Sequence, residues 1–287
     1  MREPIGSQKS HGGSQKLPIG TCAIIGVGMM GGSLGMALKA EGLAERIVGI
    51  DRSEMTLDAA LASGAIDSGT TDPIVGAAEA DCIVLAVPVD VLPALLERIR
   101  PHVRPDTLVT DIGSVKSRIV ETGARLFGVQ FVGGHPMAGS ERSGIAAARA
   151  DLFRGAAWAI VTENVNAAPD NAAPDNTFVA RLTALVSALG AIPIRMNAAD
   201  HDRIAALVSH LPHLLSFAYA DTIAADPESE LVLRMAGGSF RDLMRVSDAD
   251  PALWQAIFHE NKEWLRAALT AYETHLRNLR ETLEAGQ

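Results

Sequence analysis

Between residues 21 and 196 the chain alternates two kinds of pattern. Short, nearly all-apolar runs occupy residues 22–28, 46–51, 81–88, 107–111, 129–133, 158–162 and 192–196. Each is short, bounded by turn residues and rich in Ile, Val or Ala, so each predicts a strand. Longer stretches of helical character separate them. Strands that are apolar on both sides belong to a sheet covered on both faces, which predicts an α/β doubly wound domain. Beyond residue 200 the strand signals stop, and residues 205–225, 231–236 and 251–284 read as helices. In the last of these, Phe258, Leu265, Tyr272 and Leu279 recur at every seventh position, with Leu269, Leu276 and Leu283 as a companion row. Such a seam must be buried, within the chain or against a second copy. The pattern predicts a tail at 1–17, the doubly wound domain at 18–198 and an all-helical domain at 199–287.

Composition narrows the choice. A hydrophobic content of 48% is enough for a packed core. No apolar run is long enough to span a membrane, and the Gly- and Ser-rich start lacks the apolar stretch of a signal peptide, so it reads as a disordered tail. The net charge of −9 argues against nucleic acid or an anionic membrane as partner. Cys22 and Cys82 both fall inside strand runs, too few for a disulfide framework, and point to the cytoplasm. Ala-Ala-Pro-Asp-Asn occurs at 167–171 and again at 172–176, a polar tandem repeat that reads as a surface loop.

The first strand runs into Gly26-Val27-Gly28-Met29-Met30-Gly31, and a helical stretch follows. A second strand ends at the acid Asp51. That context turns a weak motif into the fingerprint of a Rossmann-type domain. Gly26 permits a tight turn, Gly28 lets a pyrophosphate approach the backbone, and Gly31 lets helix and strand pack closely. The unpaired N–H groups of the helix start, at Met29 and Met30, attract the anion. Asp51 suits the adenosine ribose hydroxyls and would repel a 2′-phosphate, which favours NAD; Arg52 beside it softens that preference and keeps NADP as the alternative.

Ligands of such sheets sit beyond the carboxyl ends of the strands. Three segments fall there: Val87-Pro88, Gly113-Ser114-Val115-Lys116 and Gly134-His135-Pro136-Met137-Ala138-Gly139. His135 is expected in loop, with small neighbours that leave the imidazole room. An imidazole titrates near neutral pH and suits a base that takes a hydroxyl proton as hydride leaves carbon; the alternative is a histidine that only caps the turn. Ser114 suits a hydrogen bond to the same hydroxyl, or alternatively the N-cap of the next helix. His201, His210 and His213 invite a metal reading, but Pro212 disturbs their spacing and no cysteine or fixed carboxylate joins them, so no metal is expected.

These segments, with Ser209-His210-Leu211-Pro212-His213 and Phe240-Arg241-Asp242-Leu243-Met244-Arg245, resemble the prephenate/arogenate dehydrogenase family from Thr21 to about Leu283. The resemblance implies NAD-dependent oxidative decarboxylation of a dianionic cyclohexadienol in tyrosine biosynthesis, and a homodimer formed by the helical domain. It implies that His135 takes the proton of the 4-hydroxyl, that Ser114 contacts that hydroxyl, and that His213 lines the pocket. Arg245 is the expected carboxylate ligand, since an arginine grips a carboxylate bidentately. Arg241 competes for that role or pairs with Glu141 across the cleft, and Trp254 is an aromatic at the pocket edge that a partner subunit could supply. The chain ends too soon after the helical seam to carry the fused mutase or regulatory domains of some relatives. The rivals are a β-hydroxyacid or imine oxidoreductase of the same plan, which needs a catalytic lysine or a different donor in the helical domain, and a non-catalytic NAD-binding sensor, which needs neither His135 nor Arg245.

Overall fold

The computed structural model describes residues 19–140, 142–162 and 177–286. The expected tail at 1–17, Glu141 and the tandem repeat lie outside the described residues. Eight strands form one sheet: β1 (Ile19–Ile25), β2 (Ala44–Ile50), β3 (Ser68–Thr70), β4 (Cys82–Leu85), β5 (Leu108–Asp111), β6 (Phe131–Pro136), β7 (Ala157–Val161) and β8 (Ile192–Met196). Their order across the sheet is β3-β2-β1-β4-β5-β6-β7-β8. All neighbours run parallel except β6 and β7. The order reverses between β1 and β4, which is where a doubly wound sheet opens its ligand crevice.

The apolar runs became strands because both faces of the sheet are covered. Helices α1 (Met29–Ala40), α2 (Glu54–Ala62), α3 (Pro73–Ala78), α4 (Leu92–Ile99), α5 (Ser117–Phe127) and α6 (Thr177–Ala188) connect them. Cys22 and Ile24 of β1 point into one buried cluster, while Ala23 and Ile25 point into the other. That is the period-two alternation of a strand with a core on either side. Strand β3 was not foreseen. Ser68-Gly69-Thr70 carries no apolar signal, and it is a strand because it pairs with β2, with Leu57 packed over Gly69.

The helical region begins with α7 (Ala198–Ala205), followed by a single wide turn with π-type hydrogen bonding at Ala206–His210 and by α8 (Leu211–Ala224). The helix read over 205–225 is present, continuous with α7 and carrying the wide turn at its start. Pro212 stands in the first turn of α8, where its missing N–H costs nothing. Next come α9 (Ser229–Arg234) and α10 (Gly238–Ser247). The expected helix over 251–284 is two helices, α11 (Pro251–Glu260) and α12 (Lys262–Glu284), joined at Asn261.

Trp254 and Ile257 of α11 belong to the same buried cluster as Leu85, Val115 and Ile119, so this helix is docked on the sheet domain. The heptad seam divides. Leu265 and Leu269 pack within the chain against Ala206 and Leu211. Leu276, Leu279 and Leu283 stand exposed, Leu283 at 76%.

Candidate active site

The glycine turn is shaped by contacts that a side chain would destroy. Gly26 has φ +95°, and a Cβ there would lie 2.3 Å from the carbonyl oxygen of Ala86. At Gly31 a Cβ would lie 1.9 Å from the carbonyl oxygen of Gly26. These two glycines therefore press β1, α1 and the end of β4 together. Gly28 differs: a Cβ there would meet nothing within 4 Å. It borders open space at the start of α1, and no side chain caps that helix. The first N–H groups of α1 are thus offered to an outside acceptor, the arrangement an anionic diphosphate requires.

Asp51 braces the turn as well as facing it. Its carboxylate accepts from the backbone N–H of Val27 (3.2 Å) and of Ser53 (3.0 Å). Val87 packs against Gly26, while Pro88 and Arg52 are exposed. Met30 packs on the core, and the Met29 sulfur receives the Ser140 hydroxyl at 3.4 Å.

Two strands along the sheet, β5 and β6 end side by side. Asp111 closes β5 and is buried with Lys116 as an ion pair, both side chains at 0% exposure. The same carboxylate accepts from the backbone N–H of Gly113 (2.8 Å) and of Gly134 (3.2 Å). It thereby ties the loop carrying Ser114 to the strand carrying His135. Charges buried this way hold geometry more than they add stability.

His135 is not in loop, as the sequence suggested. β6 continues through Pro136, and His135 lies opposite Ala159 of β7. Nor do the preceding glycines make room for the imidazole. A Cβ at Gly134 would lie 2.5 Å from the Asp111 carbonyl, and one at Gly133 would lie 2.9 Å from Val120. They allow close packing, and the sheet then fixes the ring.

The imidazole of His135 meets His201 of α7, Nδ1 to Nε2 at 2.8 Å. His201 Nδ1 in turn meets the Asp202 carboxylate at 2.8 Å. Asp202 also accepts from the backbone N–H groups of Lys116 (2.7 Å) and Ser117 (2.9 Å) and from the Ser117 hydroxyl (2.5 Å). It therefore caps α5 from the helical region. Ser114 does not cap that helix, correcting one of its two expected roles; it sits half-buried on the bend before it, its backbone facing the His210 ring.

Burial is the largest influence on every histidine here. It drives His135 well below its ordinary pKa, helped by the nearby charges of His201, Lys116 and His210. His201 is lowered too, burial outweighing the opposing pull of Asp202. Burial would raise Asp202, but hydrogen bonds from His201 and Ser117 overcome it and hold the carboxyl below its usual range. The site at neutral pH thus contains a neutral imidazole backed by a carboxylate.

The remaining histidines have separate tasks. Asn261 donates to the Asp202 carbonyl (2.8 Å) and contacts His210 Nδ1 (3.0 Å). His213 bonds through Nδ1 to the Ser209 carbonyl (2.9 Å) and stacks on Trp254, ring centroids 3.5 Å apart. Trp254 is 9% exposed and packs in its own chain's core. Arg241 and Arg245 both lie exposed on α10, which packs on α8, the helix of His213. Arg241 donates to the Ala236 carbonyl at 2.9 Å. Its suggested partner Glu141 lies outside the described residues. Sequence reasoning missed His201 as a contact of His135, and it missed Asp202 and Asn261 altogether. The available signal was their polarity among the apolar positions of the helical region.

A glycine turn built for a diphosphate and a neutral imidazole lie at the same carboxyl edge of the sheet, as removal of hydride from an alcohol requires. The class that fold and site define is a two-domain dinucleotide-dependent dehydrogenase. Residues 34–186 match the family described as "Prephenate dehydrogenase, nucleotide-binding domain", and residues 197–287 match "Prephenate dehydrogenase, dimerization domain". The chain belongs to the prephenate dehydrogenase family. The first match begins inside α1, past the glycine turn, so the reading of that turn rests on its geometry.

Among curated relatives, the prephenate dehydrogenase of Bacillus subtilis is 34% identical over 86% of this chain and 67% of its own length. The cyclohexadienyl dehydrogenase of Zymomonas mobilis is 31% identical over 91% of this chain and 87% of its own. The crystal structure of prephenate dehydrogenase from A. aeolicus, solved in complex with hydroxyphenyl propionate and NAD+, superposes with a TM-score of 0.84 at 31% identity. It covers 94% of this chain and 93% of that one. The chain spans about two thirds of the Bacillus protein.

Proposed function

We propose that this chain converts prephenate, arogenate or both to the corresponding 4-hydroxyphenyl product with NAD as oxidant, His135 serving as the base. NAD, when bound, supplies the hydride acceptor. The observation that carries the reading is a neutral imidazole fixed at the carboxyl end of β6, on the sheet edge that also holds the glycine turn. The turn residues Gly26, Gly28 and Gly31 and the N–H groups at Met29 and Met30 would hold the diphosphate, with Val87 and Pro88 alongside. Asp51 would hold the ribose diol, and its negative charge favours NAD over NADP; exposed Arg52 sets how strict that preference is.

His135 takes the proton of the ring 4-hydroxyl while the carbon it is attached to loses hydride, and the O–H electron pair becomes the new C=O bond. The ring carboxylate leaves as carbon dioxide, its bonding pair enters the ring, and the aromatic oxygen recovers the proton from His135. No proton is consumed overall. Ser114, on the neighbouring bend, donates a hydrogen bond to the same oxygen. His213 and Trp254 form an aromatic wall for the ring. Arg245, with Arg241 as its neighbour on α10, receives the remaining carboxylate of the dianion.

The exposed seam of Leu276, Leu279 and Leu283 and an apolar groove between Leu231, Met235 and Phe240 support a homodimer through the helical region. The two cysteines, both free and buried, support a cytoplasmic enzyme.

The test is NADH formation with prephenate and with arogenate. His135→Asn should bind NAD as wild type does and lose about 10²–10⁴ in kcat. Undiminished turnover in that variant would remove the histidine from the chemistry.

A further inference from the structure

The contacts behind His135 determine which of its nitrogens is free. Asp202 is a carboxylate and can only accept, so His201 must carry its proton on Nδ1 and donate it there. A neutral His201 then presents a bare lone pair at Nε2. The 2.8 Å contact from His135 Nδ1 to that lone pair is therefore donated by His135. His135 Nε2 is left without a proton. Hydrogen-bond logic thus assigns both tautomers.

We propose that His201 and Asp202 are positioning residues: together they hold His135 in the Nδ1–H tautomer, so that Nε2 receives the hydroxyl proton. This deepens the reading of His135 as the base and rests on it. When Nε2 takes the proton, His135 becomes an imidazolium. Its Nδ1–H still points at His201, and the charge faces the Asp202 carboxylate one ring further on. The proton returns from the same Nε2 to the product oxygen, so nothing need leave the buried chain of groups.

The groups facing this pair come from several elements. Lys116 and Asp111 lie at the ends of α5 and β5, Ser117 begins α5, and His210 closes the wide turn. Because Asp202 also caps α5, it makes the tautomer depend on the seating of α7 against the sheet domain. A misplaced α7 would cost the cap and the orientation of the base together.

The experiment uses the full chain with NAD and prephenate or arogenate. Asp202→Asn offers an amide N–H where His201 needs an acceptor. With that N–H facing His201, the chain of hydrogen bonds reverses and a proton sits on His135 Nε2; either orientation removes the charge behind the base. The analogous exchange in the serine-protease triad costs about 10⁴ in kcat. Here a loss of about 10²–10⁴ is expected, with KM and NAD affinity near wild type. The acidic limb of the kcat/KM profile should also move to lower pH, because a negative charge that favours protonation is gone.

Two further variants separate orientation from folding. His201→Gln keeps an acceptor for His135 Nδ1–H and should retain roughly tenfold more activity than His201→Phe, which has none. Ser117→Ala removes one of the hydrogen bonds to Asp202 but leaves the carboxylate as the acceptor for His201, so it should lower the melting temperature and cost kcat far less than Asp202→Asn.

The proposal is overturned if folded, NAD-binding Asp202→Asn keeps wild-type kcat and pH profile, if Gln and Phe at 201 are equally active, or if Ser117→Ala reproduces the catalytic loss. Should Asp202→Asn fail to fold, the two variants at 201 decide. Failure of the underlying reading looks different, since the wild-type chain would then form no NADH from either substrate.

Discussion

Complete burial of His210 disfavours its protonated form and lowers its pKa from 6.5 to about 4. Asp202 opposes this, while the charges of His201 and His213 reinforce it. The consequence for stability has a definite sign. Between 6.5 and about 4 the unfolded chain binds a proton that the folded chain refuses, so stability is full above 6.5 and falls as the pH drops. At 1.36 kcal/mol per unit, His210 alone contributes a loss of about 3 kcal/mol across that window. His135 and His201 are shifted the same way and add to it. Asp202 acts lower, below its ordinary 3.8, so its contribution separates from theirs. Urea denaturation followed across this range should show the midpoint falling steadily below pH 6.5. A flat midpoint down to pH 4 would mean that these rings are not held neutral by the fold.

At the scale of elements, the join between α11 and α12 bears on the active site. Hydrophobic periodicity runs straight through residue 261 and gives no reason to stop there. The helix stops at Asn261, whose backbone leaves helical geometry and whose amide reaches the Asp202 carbonyl and His210. Asn261→Ala would leave the buried His210 Nδ1 without its donor, while the Asp202 carbonyl keeps the N–H of Ala206, at a cost of about 1–3 kcal/mol. Equilibrium unfolding should therefore register a loss of roughly 1–3 kcal/mol, beyond the 0.5 kcal/mol typical of a surface change. A value inside that surface range would show that water or a neighbour replaces the amide. This element also marks the limit of what the sequence can tell. Apolar runs announced seven of the eight strands, and the glycine turn announced the crevice, because those signals are local. The polar pairs could not be read in advance. His135 and His201 are 66 residues apart, and Lys116 and Asp202 are 86 apart, so only the folded chain brings them together. His135 itself was found by its motif, yet its setting was misjudged, because a Gly-Gly pair reads as loop until β7 is seen to pair with it.

Across the whole molecule, the apolar surface is unevenly spread. The sheet domain buries its strands on both faces, while the helical region leaves Leu231, Leu233, Met235, Leu276, Leu279 and Leu283 all at least half exposed. Burying one such side chain contributes about 1.5–3 kcal/mol, so six of them in each of two copies would supply ample driving force for association. The chain's net charge of −9 opposes close approach of two copies, though salt screens it beyond a short range. A homodimer follows if apolar contact wins. Sedimentation at physiological salt should then give twice the chain mass of 30.2 kDa. Leu276→Glu combined with Leu279→Glu should shift the species to a single chain, because each new carboxylate would have to be buried without a partner. Both residues are exposed within the chain, so the sheet domain should stay folded and NAD binding should persist. Wild-type protein that sediments as a single chain at micromolar concentration would end this reading. A double variant that stays dimeric would move the interface from α12 to the groove beside α9.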